Sequence, residues 1–263
     1  MLTKKQNPIF TKFAYYYDVI YADKEYEKEC DFIEEIFREY LHRQPQRILD
    51  LACGAGGHSL ILAKKGYEVT GIDLSKIMIR LAKEKTRTLK LNVDFKNMDM
   101  VNFSVKNKFD ACICMFCSLD YLKSTNELKK TLENIKNHLQ KDGILIFDFW
   151  NGLAVINKRP ETRVKIMPYL SNGRIIRIAT PEINLFQSIC KIKYHCIVVN
   201  DSTILDEFEE THCLRFYFIE ELKQYLKDVG FETLRICPLL KFNQEPNIDD
   251  WYLALIAKSI DLK

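Results

Sequence analysis

The stretch Leu49-Asp50-Leu51-Ala52-Cys53-Gly54-Ala55-Gly56-Gly57-His58 constrains this chain more than any other. It lies between an apolar run, RILDLA at 47–52, and a helical pattern at 58–65, so it reads as a strand-to-helix turn. In an open parallel sheet, ligands sit beyond the carboxyl ends of the strands, where strand order reverses. Small residues at Ala52, Gly54 and Gly56 let a ligand come up to the backbone, and glycine accepts the positive φ such a turn needs. A dinucleotide fingerprint would place its third glycine where Ser59 stands. The carboxylate of Asp50 also suits the ammonium of a bound amino acid better than a pyrophosphate.

The surrounding pattern gives the turn its setting. Strand-like runs follow at YEVTGID (67–73), VDFKN (93–97), FDACICMF (109–116) and GILIFDFW (143–150). Helical patterns at 58–65, 75–86 and 125–140 separate most of them, with Ser75 and Thr125 as expected N-caps and Asp142-Gly143 as a turn before the fifth strand. Strands alternating with helices predict a doubly wound parallel sheet. Before it, residues 7–43 are rich in aromatic and charged residues. Cys30, Ile33, Ile36, Phe37 and Tyr40 fall at helical intervals there, which predicts a helical lead-in.

After Trp150 the period changes. RVKIMPYL, GRIIRIAT, LFQSICKIKYHCIVV and TILDEFEETHCLRFY read as antiparallel strands joined by turns at Ser171-Asn172-Gly173 and Asn200-Asp201. A helix at 219–229 and strands at 231–237 and 251–257 then resume the first pattern. The fold class expected is α/β: a Rossmann-like, doubly wound, mostly parallel seven-stranded sheet with an antiparallel β insertion after the fifth strand.

Composition excludes several classes. No apolar run is long enough to span a membrane, and MLTKKQNPIF lacks a signal core, so a cytoplasmic protein is expected. Nine cysteines without regular spacing suit reduced, buried thiols, and Cys112, Cys114 and Cys117 read as core rather than as a metal site. No metal is expected. A net charge of only +3 lacks the electrostatic footprint of an obligate nucleic-acid binder.

Four further segments complete the ligand site. Asp73 ends the second strand, where an acid can accept hydrogen bonds from both ribose hydroxyls, a need that NAD and S-adenosylmethionine share. Met98-Asp99-Met100 offers a carboxylate for an adenine amino group and thioether surface for the ring, and Met115-Phe116-Cys117-Ser118 ends the fourth strand beneath a sulfonium. Together with Lys141-Asp142-Gly143, these residues resemble the class I S-adenosylmethionine-dependent methyltransferases over about 45–150. The resemblance implies cofactor contacts from Tyr17, Asp50, Ala52, Cys53, Gly54, Gly56, Asp73, Leu74, Met78, Asp99, Met100, Met115 and Ser118, with S-adenosylhomocysteine as the product.

The opening, Phe13-Ala14-Tyr15-Tyr16-Tyr17-Asp18-Val19-Ile20-Tyr21 with Lys24-Glu25-Tyr26, is similar to that of aminosugar N,N-dimethyltransferases, as is Cys114-Met115-Phe116-Cys117-Ser118-Leu119. In that family the N-terminal segment closes over cofactor and acceptor. The likeness therefore implies a helical lid at 1–44, a methyltransferase domain at 45–150 and 218–263, and a β subdomain at 151–217. It also puts a catalytic tyrosine at Tyr17, and at Tyr121 a second catalytic candidate where the family carries a histidine. His58, His195 and His212 receive no assignment.

The function expected is methyl transfer to a small-molecule acceptor, an amine above others. Nucleic-acid methylation is the first rival, since Lys158, Arg159, Arg163, Lys165, Arg174, Arg177, Lys191 and Lys193 concentrate positive charge in the insertion. Enzymes acting on a flipped base amine carry an Asn/Asp-Pro-Pro-aromatic turn where this chain reads Met115-Phe116-Cys117-Ser118. A non-catalytic subunit would show an eroded glycine turn. An NAD-dependent oxidoreductase is disfavoured by Ser59 and Asp50. The solvent-facing insertion is expected to offer a surface for homodimer pairing.

Overall fold

Residues 9–261 are described by the structure, a computed structural model. Residues 1–8 of the expected lid and 262–263 of the expected methyltransferase domain lie outside the described residues. The lead-in divides into helices α1 (Lys12–Ile20) and α2 (Tyr26–Tyr40). There follow β1 (Arg47–Leu51), α3 (Gly57–Lys64), β2 (Glu68–Asp73), α4 (Lys76–Leu89), β3 (Val93–Asn97), β4 (Phe109–Cys114), a 3₁₀ turn (Ser118–Tyr121), α5 (Thr125–His138) and β5 (Leu139–Trp150). A short helix α6 (Gly152–Asn157) leads into β6 (Arg163–Tyr169), β7 (Gly173–Asn184), β8 (Ile189–Asn200) and β9 (Thr203–Arg215). The chain ends with α7 (Ile219–Asp228), β10 (Phe231–Pro238) and β11 (Tyr252–Ser259).

The seven-stranded sheet runs β10-β11-β5-β4-β1-β2-β3, with β11 antiparallel to both its neighbours. Strand order therefore reverses between β1 and β4, which places a ligand crevice beyond their carboxyl ends. Both faces of the sheet are covered. Helices α5 and α7 bury Leu128, Leu132, Ile135, Leu222 and Leu226 against one face, and α2 buries Cys30, Ile33, Ile36 and Phe37 against the other. Leu49 and Ile48 point to opposite faces and are both fully buried, each contributing about 1.5–3 kcal/mol. That two-sided burial is why these strands read as continuous apolar runs.

The insertion forms its own antiparallel sheet, ordered β6-β7-β8-β9. Its inner face sends Met167, Ile175, Cys196, Val198 and Phe208 against Phe13, Ala14, Tyr17 and Ile20 of α1. The N-terminal helix is thus clamped between the insertion and the flank of the larger unit formed by α4 and the glycine turn, where Met78 and Ala55 meet it. Lys12 and Lys165 reinforce the clamp by pairing with Asp206 and Asp23.

Several local expectations need correction. Ser124, not Thr125, caps α5: its side chain accepts from the Glu127 N–H, and Glu127 reaches back in a capping box. Strand β5 begins at Leu139, because that residue already pairs with Phe109. Asp142-Gly143 is consequently a bulge inside the strand, with Asp142 at φ 62°. Helix α6 has too few turns to show a period; only Asn151, whose side chain accepts from the Leu153 N–H, marks its start. Cys112 and Cys114 pack in the core beside α5.

Candidate active site

The glycine turn is shaped by backbone conformation. Ala52, Gly54 and Gly56 take φ of 58°, 54° and 84°, a left-handed sequence that glycine adopts without steric cost. A Cβ on Gly56 would strike the Phe95 ring at 2.8 Å, so this glycine is needed for packing. A Cβ on Gly54 would meet nothing within 4 Å. The turn therefore closes on its inner side and opens toward the crevice at Gly54.

Asp73 ties β2 to that turn. Its Oδ2 accepts the Gly54 N–H at 2.9 Å and its Oδ1 accepts the Ser75 N–H at 2.7 Å. Burial pushes its carboxyl up to about 6, against the lowering effect of those two donors. Leu74 beside it is 65% exposed. Asp99 stands exposed at the rim and accepts the Val101 N–H at 2.9 Å, while Met100 is half-buried against the core.

Other expected contacts are placed differently. Asp50 is fully buried and accepts the hydroxyl proton of Ser59, so it stands behind the glycine turn and fixes the start of α3. Burial pushes its carboxyl up. The Ser59 that replaces a third glycine thus has a structural partner. Met78 and Met115 are buried, the one against Ala55 and Tyr17 and the other in the core beneath α2 and α3. Only the backbone end of Met115 reaches the crevice side, where its carbonyl accepts from Ser118 Oγ at 2.8 Å. Cys53 packs with Leu60, Ile79 and Phe95 and hydrogen-bonds the Ile72 carbonyl through its N–H.

At the end of β4, Phe116 and Cys117 take φ of 63° and 54°, an uncommon pair of left-handed non-glycine residues. Asp148 holds them there by accepting the Cys117 N–H at 2.9 Å and meeting its thiol at 3.3 Å. The conformation turns the Phe116 ring toward Tyr21, 5.1 Å away, and beneath the Lys24 ammonium, 4.0 Å from its centroid. Lys24 pairs with Glu29, which also bonds His58 Nε2 at 2.6 Å. A cleft of about 250 Å³ opens here between Tyr17, Tyr21, Lys24, Tyr26, Ala55 and Gly57.

The other side of the crevice is aromatic. Tyr17 lies 4.8 Å from Tyr21, whose hydroxyl pairs with that of Tyr194 on β8. Tyr121 Oη is 2.7 Å from His212 Nδ1, and His212 Nε2 is 2.9 Å from Glu210 Oε1. Burial raises the Tyr17 and Tyr121 hydroxyls well above the usual phenol range, so both stay protonated. Arg177 stacks over Tyr21 and Tyr194 at 5.5 and 5.4 Å, with its Nε buried and without a hydrogen-bond partner. The sequence reading did not place Lys24, Phe116, Arg177, Tyr194, Glu210 or His212 in the site; Lys24 and Phe116 stood in the quoted motifs, Arg177 among the basic residues of the insertion and His212 among the unassigned histidines, whereas Tyr194 and Glu210 drew no separate reading.

A crevice at the switch point, open at Gly54 and flanked by a carboxylate at the end of β2, joins this geometry to known proteins. Residues 48–143 match the family model described as a methyltransferase domain. YqeM of Bacillus subtilis, assigned as a methyltransferase, is 31% identical over 229 residues, covering 87% of this chain and 88% of its own. The chain is an S-adenosylmethionine-dependent methyltransferase. A crystal structure of such an enzyme from Clostridium acetobutylicum superposes with a TM-score of 0.80 at 25% identity, covering 97% of this methyltransferase and all of that chain. The dTDP-3-amino-3,4,6-trideoxy-α-D-glucopyranose N,N-dimethyltransferase of Streptomyces venezuelae is 31% identical over 138 residues, 51% of this chain and 55% of its own.

The crevice fits the cofactor. The space above Gly54 is where a ligand can approach the backbone, and the Asp73 carboxylate keeps lone pairs free beyond the two that its N–H donors occupy. Among the described residues, no helix is long and apolar enough to cross a membrane.

Proposed function

We propose that this methyltransferase transfers a methyl group from S-adenosylmethionine to a small-molecule amine. The observation that carries the reading is the aromatic cluster of Tyr17, Tyr21, Phe116, Tyr121 and Tyr194, packed under the inner face of the insertion beside the cleft of about 250 Å³ that Tyr17 and Tyr21 line. A cleft of that size suits a compact acceptor better than a polymer. The Streptomyces venezuelae relative is named for methylating an amino nitrogen of a sugar, which supports nitrogen as the acceptor atom.

In this reading the backbone of Ala52, Cys53, Gly54 and Gly56 cradles the methionine moiety and Asp73 holds the ribose. Leu74, Asp99 and Met100 flank the adenine, and the Met115–Ser118 turn lies nearest the methyl group. Asp50 and Met78 act from behind, through Ser59 and through the packing under Tyr17. When bound, the cofactor supplies an electrophilic methyl on a sulfonium, so the protein's task is to orient the nucleophile and exclude water. Tyr17 and Tyr121 face that nucleophile, and the Tyr17 ring also suits a cation–π contact with the sulfonium.

Arg177 narrows the acceptor. Among the described residues it has no carboxylate in ion-pair contact, so a carboxylate or phosphate on the acceptor would complete it. The other basic residues of the insertion are scattered: Lys165, Lys191 and Lys193 each pair with an acid, which argues against an RNA-binding patch. Val164 and Ile166, both 62% exposed on the edge strand β6, are the surface through which two copies would pair. Free, mostly buried thiols suit the reducing cytoplasm, where we place the enzyme.

The test is a methyl-transfer assay over aminosugars, amino acids and simple amines, each beside its hydroxyl counterpart and each with and without an acidic group. Methylation of an amine in preference to its hydroxyl counterpart is expected. Transfer confined to RNA or to oxygen would overturn the reading.

A further inference from the structure

Beside the aromatic cluster, hydrogen bonds join Tyr121, His212 and Glu210 into a chain of buried titratable groups, and orienting a nucleophile needs no such chain behind Tyr121. Tyr121 projects from the 3₁₀ turn, while Glu210 and His212, two apart on β9, both point to the inner face of the insertion. The side chains of His212 and Glu210 are only 3% and 6% exposed. Because a carboxylate only accepts, His212 carries its proton on Nε2, which leaves Nδ1 to accept the Tyr121 hydroxyl proton. Glu210 also accepts from Thr11 N at 3.1 Å, from Thr11 Oγ1 at 2.9 Å and from the Phe10 N–H. Those bonds latch the N-terminal segment without needing an imidazole. A latch therefore accounts for Glu210 but not for His212 between it and Tyr121.

We propose that Tyr121, His212 and Glu210 form a proton relay that deprotonates the acceptor ammonium before methyl transfer, an inference that rests on the amine reading above. The ammonium gives one N–H proton to the Tyr121 oxygen as the tyrosine's own proton passes to His212 Nδ1. The imidazolium so formed stands beside the Glu210 carboxylate, and the amine regains its lone pair. That pair forms the new N–C bond while the C–S bond breaks and its electrons stay on sulfur. The proton leaves His212 for solvent when product departs.

The surroundings favour this direction of transfer. Glu210 is ionised at neutral pH: burial alone would raise its carboxyl, but His212 and the Phe10 and Thr11 N–H donors hold it below the usual range. His212 is faced by Tyr121 from the 3₁₀ turn, by Tyr194 from β8 at 5.0 Å, and by Phe10 and Phe13 from the N-terminal segment. Tyr21, Cys117 and the Tyr194-stacked Arg177 lie beyond them. Arg177 opposes a second positive charge, and Glu210, in direct contact, outweighs it.

The relay has a signature that packing does not. It is needed only while the acceptor is protonated, so its loss should matter less as pH approaches an alkylammonium pKa of about 10. Wild type, Tyr121→Phe, His212→Gln and the double variant are assayed from about pH 7 to about pH 10, with the amine of the panel that wild type methylates fastest. At about pH 7 each single variant should lose on the order of 100-fold in kcat/KM, with cofactor affinity within about twofold. The double variant should lose no more than the worse single, and all losses should shrink to a few-fold near about pH 10. Losses independent of pH, or additive in the double variant, would overturn the relay while leaving amine methylation standing. Absence of methylation on every amine would overturn the amine reading and the relay with it. Nitrogen NMR of the wild-type imidazole needs no variant: a proton on Nε2 of His212 is expected, and a proton resting on Nδ1 contradicts the scheme.

Discussion

On the side of the crevice that we propose holds the cofactor, the backbone does most of the shaping: three left-handed residues form the glycine turn, and Asp73 is held by two N–H groups. On the proposed acceptor side the lining is made of side chains drawn from α1, the 3₁₀ turn, β7, β8 and β9. Gly54 and Asp73, which bond each other, are 19 residues apart in the chain, whereas Tyr121 and His212 are 91 apart. Backbone conformation leaves little room for variation at the first side, since each position admits few residue types. Side chains on a separate inserted sheet can change without disturbing the Rossmann-like core, so in the proposed reading cofactor use and acceptor choice are separable.

The sharpest way to break that division is Gly54→Val. A branched side chain at φ 54° is strained and fills the open space at Gly54, so cofactor binding should be lost. Binding by calorimetry together with a melting curve checks this, and normal binding in a folded variant would relocate the cradle. Asp73→Ala should weaken binding by about 1.5–3 kcal/mol, because the ribose hydroxyls lose a charged acceptor. The effect should depend on pH. With its carboxyl raised to about 6, Asp73 must ionise to accept from the ribose, so affinity is full above about 6 and falls as pH drops through it. By the same linkage, this carboxyl stabilises the free protein most below an aspartate's ordinary 3.8, and that contribution is lost as pH rises through about 6. Asp73→Asn should flatten the binding profile; an unchanged pH dependence would assign it to another group such as Asp148, whose carboxyl burial also raises to about 6.

Two smaller effects sharpen the acceptor side. Arg177→Met should raise KM about tenfold for acceptors bearing a carboxylate or phosphate and leave their neutral counterparts unchanged, consistent with loss of a charge-assisted contact. Equal effects on both would reduce Arg177 to a stacking residue. Tyr17→Phe keeps the ring and removes the hydroxyl, so kcat should fall only a few-fold with cofactor affinity preserved. A larger loss of affinity than of kcat would move Tyr17 to the cofactor side.

Much of the first side was legible in the sequence because its determinants are local. Two-sided burial made β1, β4 and β5 continuous apolar runs, and the small residues at 52, 54 and 56 announced a turn that a ligand can approach. Asp50 had the right chemistry for an ammonium but stands behind the turn, because Ser59 meets it there. The acceptor side was legible only in part. Alternation in β9 predicted a strand, yet the partner of His212 comes from a 3₁₀ turn that no period describes. Arg177 looked like one base among eight until the fold stacked it between two tyrosines and left its acid partners elsewhere. Clamping of α1 under the insertion likewise depends on which face of β7–β9 turns inward, and alternation alone does not choose that face.

Amide hydrogen exchange with and without S-adenosylmethionine tests the division most directly. The account predicts slowed exchange at residues 52–57 and 73–75, where the bound cofactor would cover the glycine turn and the end of β2, with the amides of β6–β9 unchanged. Protection confined to β6–β9, with the glycine turn unaffected, would contradict it.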